Sequence, residues 1–135
     1  MKKWSLFLLI TLVVMLMPVT TEAANWKYIA RSTNGIMAYL DTSSISGSSY
    51  GPKDAWVKYE HHYQDCASEL AIIMNKCISK KLIYERHFSD TSMCNLQQIV
   101  YFTDGTDDGG SQESCNPQSI PPNSLAEAVW NHLYQ

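Results

Sequence analysis

The run Ser119-Ile-Pro-Pro-Asn-Ser-Leu-Ala-Glu-Ala-Val-Trp-Asn-His-Leu-Tyr134 closes the chain and decides its architecture. Pro121 and Pro122 can continue neither a β-ladder nor a helix, so they end whatever precedes them. Ser124, followed three residues later by Glu127, has the spacing of a reciprocal capping box and predicts a helix start. Behind it Leu125, Val129 and Leu133 recur every four residues, with Ala126, Trp130 and Tyr134 in the adjoining row. The result is a broad apolar stripe. A helix of about three turns is marginal by itself, so this one must dock on another element.

The upstream sequence reads as the sheet on which it docks. Trp26 to Ala30 and Met37 to Leu40 flank Thr33-Asn34-Gly35, and Asn-Gly between apolar runs predicts a hairpin. A Ser- and Gly-rich piece from Ser43 to Pro52 follows. Ala55 to Tyr63 alternates, with Ala55, Val57, Tyr59, His61 and Tyr63 opposite Trp56, Lys58, Glu60 and His62. Lys80 to Phe88 puts Leu82, Tyr84 and Phe88 on one face. Leu96 to Thr103 sets Leu96, Val100 and Phe102 against Ile99 and Tyr101. Asp104 to Gly110 reads as a polar turn before a short return strand around Ser111 to Cys115. In Ala67 to Lys76, Leu70, Ile73 and Met74 have helical spacing over one or two turns. The expected fold class is α+β, mostly β. It is an antiparallel sheet of five to six strands with one C-terminal helix, Ser124 to Tyr134, packed on a face.

The N-terminus has the form of a secretory signal peptide. Lys2 and Lys3 precede the uncharged run Leu6 to Met17, then Pro18 and small residues up to Ala23-Ala24. The run is short for a bilayer span. Cleavage is expected after Ala23, with residues 1–23 as leader and 24–135 as a single domain without an integral membrane segment. The whole chain carries a formal charge of −3. Loss of Lys2, Lys3 and Glu22 makes the remainder more negative, and it holds no basic block. Nucleic acid and anionic membrane surfaces are therefore not expected partners.

All four cysteines, Cys66, Cys77, Cys94 and Cys115, lie in the expected mature part. Without a close Cys-x-x-Cys pair they read as two disulfides of an exported protein rather than a zinc site. Cys66 ends one strand and Cys77 begins the next, while Cys94 and Cys115 flank the Asp104–Gly110 turn. That layout pairs Cys66 with Cys77 and Cys94 with Cys115.

The residues announce no catalysis. His61 and His62 are adjacent and point to opposite faces of a strand; His87 and His132 lie elsewhere, and all four read as surface or half-buried histidines. Asp104-Gly-Thr-Asp-Asp-Gly has Thr at the third position of a calcium loop and no glutamate at the twelfth, so it reads as a solvated turn. No Gly-x-Ser-x-Gly elbow marks a nucleophile. No enzyme, catalytic residue, cofactor or metal is expected.

The order of residues from Asn25 onward resembles the surface-adhesin protein E family. Trp26 is followed by Tyr39-Leu-Asp-Thr-Ser-Ser-Ile45, Trp56-Val-Lys58, Lys81 with Tyr84, Cys94, and Tyr101 with Asp104-Gly105. Ile120-Pro-Pro-Asn-Ser124 then precedes a helix carrying Trp130. Trp26, Trp56, Pro121, Pro122, Ser124 and Trp130 are the structural signature. The resemblance implies a small exported bacterial protein, with an antiparallel sheet and a packed C-terminal helix. It would bind host extracellular-matrix or serum proteins such as laminin, vitronectin and plasminogen. The chain lacks the cysteine that members often carry just behind the helix, which leaves Cys94 with Cys115, Cys77 or Cys66. It also lacks a lipid-attachment cysteine, so periplasmic, cell-surface and secreted locations all remain open. The expected function is a non-enzymatic binding protein of the adhesin type. The alternative is a periplasmic small-ligand-binding or envelope-complex accessory domain, and a homodimer is a further expectation.

Overall fold

The computed structural model describes residues 23–66, 69–74 and 76–135, with side chains at 62–65 and 71 left aside. The expected leader, residues 1–23, lies outside them except for Ala23. The strands are β1 (Trp26–Arg31), β2 (Ile36–Asp41), β3 (Ser46–Gly47), β4 (Lys53–Asp65), β5 (Ile78–His87), β6 (Ser92–Phe102), β7 (Ser111–Gln112) and β8 (Gln118–Ser119). A 3-10 turn spans Thr42–Ser44, helix α1 spans Glu69–Ile73 between β4 and β5, and helix α2 spans Leu125–Tyr134.

All eight strands join one antiparallel sheet, with the order β1-β2-β4-β5-β6-β7; β3 pairs with β4 and β8 with β6. The sequence reading gave five to six strands. The two it did not count, β3 and β8, are two residues long, as is β7, its short return strand. Two residues cannot display a period-two pattern, so only pairing with a long neighbour reveals them. The return strand expected from Ser111 to Cys115 shrinks to β7 for the same reason.

The β1–β2 hairpin closes as Asn34-Gly35 suggested. Ser32 N–H donates to Ile36 O at 2.8 Å, and Gly35 takes φ 88°, a conformation that glycine adopts without strain. A bulge between Tyr28 and Ala30 shifts the register of this edge strand. Such a bulge makes the edge a poorer template for a stray strand.

The core forms where α2 meets β2 and β4. Leu40, Ala55, Val57, Val129 and Leu133 are buried together, with Ile29, Tyr59 and Tyr134 packed around them. The helix begins as its sequence dictates: Glu127 N–H donates to Ser124 Oγ at 3.1 Å. The reciprocal arm is displaced by one residue, because the Glu127 carboxylate accepts from Asn123 N–H at 2.8 Å rather than from Ser124. Asn123 sits at φ 59°, which turns its N–H toward that carboxylate.

Polar bonds then fix the angle of the helix. Trp130 Nε1–H donates to Phe88 O at 2.7 Å. The Tyr134 hydroxyl lies 2.8 Å from both Gly51 O and His87 O. Lys53 Nζ caps the helix end by donating to Leu133 O at 2.6 Å. Two disulfides, Cys66–Cys77 and Cys94–Cys115, close the loops that the strand layout assigned to them.

Leu133→Ala should cost about 3 kcal/mol, because its side chain is buried against β2 and β4. Trp130→Ala should cost about 2 kcal/mol, the residue being half-buried but bonded to Phe88 O. Guanidinium denaturation of the oxidised protein measures both. An unchanged midpoint in either variant would show that α2 is not docked as described.

Candidate functional site

Alternation along the strands gives the sheet two unlike faces. One carries α2. The other carries no helix, and cross-strand registers assemble it in rows. Tyr28 faces Tyr39, Tyr39 faces Lys58, Lys58 faces Leu82 and Leu82 faces Ile99. In the next row Met37, Glu60, Lys80 and Tyr101 stand side by side, and on the other flank Trp56 faces Tyr84. Trp26 and Trp56, both part of the signature in the sequence, lie on this face.

The contacts across it are aromatic and cationic. Tyr28 and Tyr39 meet edge to face with ring centroids 5.7 Å apart, and the Trp56 and Tyr84 centroids are 5.2 Å apart. Lys58 Nζ lies 4.6 Å from the Tyr39 centroid and 4.9 Å from that of Trp26, and it pairs with Glu60 at 3.1 Å. Lys80 Nζ lies 4.8 Å from the Tyr101 centroid. Each lysine stem thus runs along ring surface with the ammonium kept at the surface. Arg86 anchors one flank through a two-armed bond to Asp54, both arms 2.8 Å. That bond is the main reason its guanidinium pKa is raised.

Beneath α2 lies a polar cluster that the sequence reading missed. Of β5, the buried side chains are Ile83, Glu85 and His87, while Leu82 and Tyr84 point to the helix-free face. The Tyr59 hydroxyl donates to Glu85 Oε1 at 2.6 Å, and His87 Nε2 lies 2.8 Å from Glu85 Oε2. His87 is fully buried, which corrects its reading as a surface or half-buried histidine, and its Nδ1 has no hydrogen-bond partner. Burial, then the charge and hydrogen bond of Glu85, push the Tyr59 phenol well above its ordinary value. Glu and His can relay protons where substrate reaches them, but Glu85 is 1 % and His87 0 % exposed. The cluster therefore orders the core. Its signal in the sequence was Glu85 and His87 on the same side as Ile83, opposite Leu82 and Tyr84.

The remaining candidates separate in space. His61 is half-buried on β4, His62 lies among the side chains left aside, and His132 is half-buried on α2. Burial, and then the charge of Lys27, lowers the His132 pKa. The carboxylates of the Asp104–Gly110 turn are occupied by their own loop. Asp104 Oδ1 accepts from Thr106 N–H and Oγ1–H at 2.9 and 2.6 Å, and Asp108 Oδ1 from Val100 and Gly110 N–H at 3.0 Å. Those bonds lower both pKa values. Among the described residues no group of three His, Cys, Asp or Glu could hold a metal ion. Pro121, Pro122 and Ser124 form the entry to α2, where Ser124 Oγ–H also donates to Pro121 O at 2.7 Å. Together with Ile36, Tyr59 and Asn131, Pro121 and Ser124 line an open groove of about 800 Å³.

No protein-family model matches the chain. No curated protein matches it. Among solved structures, protein E from non-typeable Haemophilus influenzae is similar, at 12% identity over 87% of this chain and 78% of that one, with a TM-score of 0.47. So distant a likeness carries no argument about what this chain binds.

The Tyr59 cluster makes stability fall in alkali. Above the phenol's ordinary value of 10.0 the unfolded chain releases the Tyr59 proton while the folded chain retains it. The folded state then holds more protons, so its stability declines as pH rises past that point. Tyr59→Phe should lose roughly 1–2 kcal/mol at neutral pH, since Glu85 loses a donor. It should also show a shallower alkaline decline. Denaturation midpoints from pH 8 to 11 test this, and identical slopes would refute the assignment.

Proposed function

We propose that the chain is an exported, non-enzymatic binding protein that engages host extracellular-matrix or serum proteins through the helix-free face of its sheet. The observation that supports this reading best is the composition of that face. Tyr, Trp, Lys and Arg side chains stand in cross-strand rows, half-exposed, on a surface that no other element among the described residues covers. Tyrosine, tryptophan and arginine are the residues that supply most affinity in protein interfaces, because they offer large contact area and few degrees of freedom. Here cross-strand packing and the lysine–aromatic contacts fix them before any partner arrives, which lowers the ordering cost of binding.

Two closed disulfides accord with an oxidising compartment and so with export. The rows span five strands spaced about 4.8 Å apart, a footprint toward the small end of specific interfaces. Affinities in the micromolar range are the corresponding expectation.

Binding of the secreted chain to immobilised laminin, vitronectin and plasminogen tests the proposal. At least one should capture it, and Tyr28→Ala combined with Lys58→Ala should weaken capture about tenfold, the loss of one modest hot spot. Failure to bind all three would sink the host-protein reading. A thermal-shift gain with small metabolites, centred on the Tyr59–Asn131 groove, would favour the small-ligand alternative instead.

A further inference from the structure

The segment Ser111–Ser119 runs along the outer edge of β6 as a strap, and each of its residues is exposed. Its strand pairing is confined to the two ends. Ser111 and Gln112 pair with Gln98 and Gln97, and Gln118 and Ser119 pair with Met93 and Ser92. Glu113 N–H adds a bond to Leu96 O at 2.9 Å. Between those ends the strap stands off the strand. A cavity of about 470 Å³ has Cys94 and Asn95 on one wall and Glu113, Ser114, Asn116 and Gln118 on the other. The Cys94–Cys115 disulfide bridges this gap.

We propose that Cys94–Cys115 is a redox-operated latch on this strap, opened by a dithiol reductant ahead of Cys66–Cys77. Access distinguishes the two bonds. Thiol–disulfide exchange is an in-line displacement, so the attacking thiolate approaches one sulfur from the side opposite the other. Cys94 is 4% exposed and Cys77 1%, which closes both as points of attack. Their partners differ, because Cys115 is exposed and Cys66 is half-buried. Attack at Cys115 thus comes from solvent, with Cys94 as the leaving group. A thiolate of the dithiol bonds to Cys115 Sγ, the Cys94–Cys115 bond breaks, and Cys94 departs as a thiolate that takes up a proton. The second thiol of the reductant then gives up its proton and displaces Cys115, which is protonated in turn. Two electrons and two protons have passed to the cysteines, and the dithiol has become a disulfide.

Opening the latch frees the strap without unfolding the domain. Ordering the strap costs conformational entropy, and a few exposed hydrogen bonds with no buried side chain do not offset that cost. The crosslink offsets it by restricting the open alternatives. The core uses none of these residues, being built from Leu40, Ala55, Val57, Val129 and Leu133. Ile120 N–H bonds to Thr91 O at 2.9 Å just past the strap, so the entry to α2 stays anchored. Opening bares the outer edge of β6 from Ser92 to Gln98. That strand carries no charged residue from Ser92 to Phe102. The opposite edge, β1, has Lys27, Arg31 and a bulge to discourage stray pairing, whereas β6 is shielded over Ser92 to Gln98 by the strap.

Graded dithiothreitol under native conditions, followed by alkylation and peptide mass spectrometry, tests the latch. Cys94 and Cys115 should become alkylated about tenfold faster than Cys66 and Cys77. Hydrogen exchange on the selectively reduced chain should show the Glu113 amide losing about tenfold in protection, with the Val57 and Val129 amides unchanged. Cys94→Ala combined with Cys115→Ala should give the same exchange pattern without reductant. Equal reduction rates, or earlier opening of Cys66–Cys77, would overturn the proposal. So would retained protection at Glu113 after reduction, because the strap would then hold without its latch. Lost protection at Val57 and Val129 would overturn it too, since the disulfide would then support the fold itself.

Discussion

The docking of α2 over β1, β2 and β4 is the interaction on which the rest depends. Val129 and Leu133 contribute its apolar contacts, and these alone would let the helix slide or rotate over a smooth patch of Leu40, Ala55 and Val57. Directional bonds remove that freedom. Trp130, Tyr134 and the helix end each bond a backbone or side-chain group at the ends of β4 and β5. Buried apolar area supplies most of the energy, and the hydrogen bonds determine where the helix lies.

That placement also explains the polar cluster under the helix. Once α2 covers the sheet, Ile83, Glu85 and His87 of β5 lose contact with water, and Glu85 and His87 must find partners inside. Tyr59 supplies one and the two supply each other. A buried polar group that keeps its partners costs little, whereas the same group with a partner removed costs several kcal/mol, and in this cluster His87 Nδ1 alone goes without one. The cluster thus constrains β4 and β5 to one register, since a shift by one residue would turn Glu85 and His87 outward and separate them from Tyr59. The other face bears no such load and can carry aromatic and charged side chains at the surface.

The disulfides act on the loops rather than on the core. Cys66–Cys77 holds the excursion between β4 and β5, and Cys94–Cys115 ties the chain after β7 back to β6. Both segments have few apolar residues facing the core, so the covalent link does what packing cannot.

The sequence by itself determined the elements whose signal is local. Asn34-Gly35 marked the first hairpin, the alternation from Ala55 marked β4, and Ser124 with Glu127 marked the start of α2. The cysteine layout followed from the same strands, because the hairpins that bring the pairs together are neighbours in sequence. The tertiary structure alone decided which face of each strand is buried. In β5, Leu82 and Tyr84 look more apolar than Glu85 and His87, yet the polar pair lies inside, because the location of α2 and the hydroxyl of Tyr59, 26 residues upstream of Glu85, make that environment acceptable. The two-residue strands β3, β7 and β8 likewise exist only through pairing with a longer neighbour, β4 or β6. Local pattern reports what a segment can bury; what it does bury is set by the groups that meet it across the fold, and those meetings are not written within any one segment.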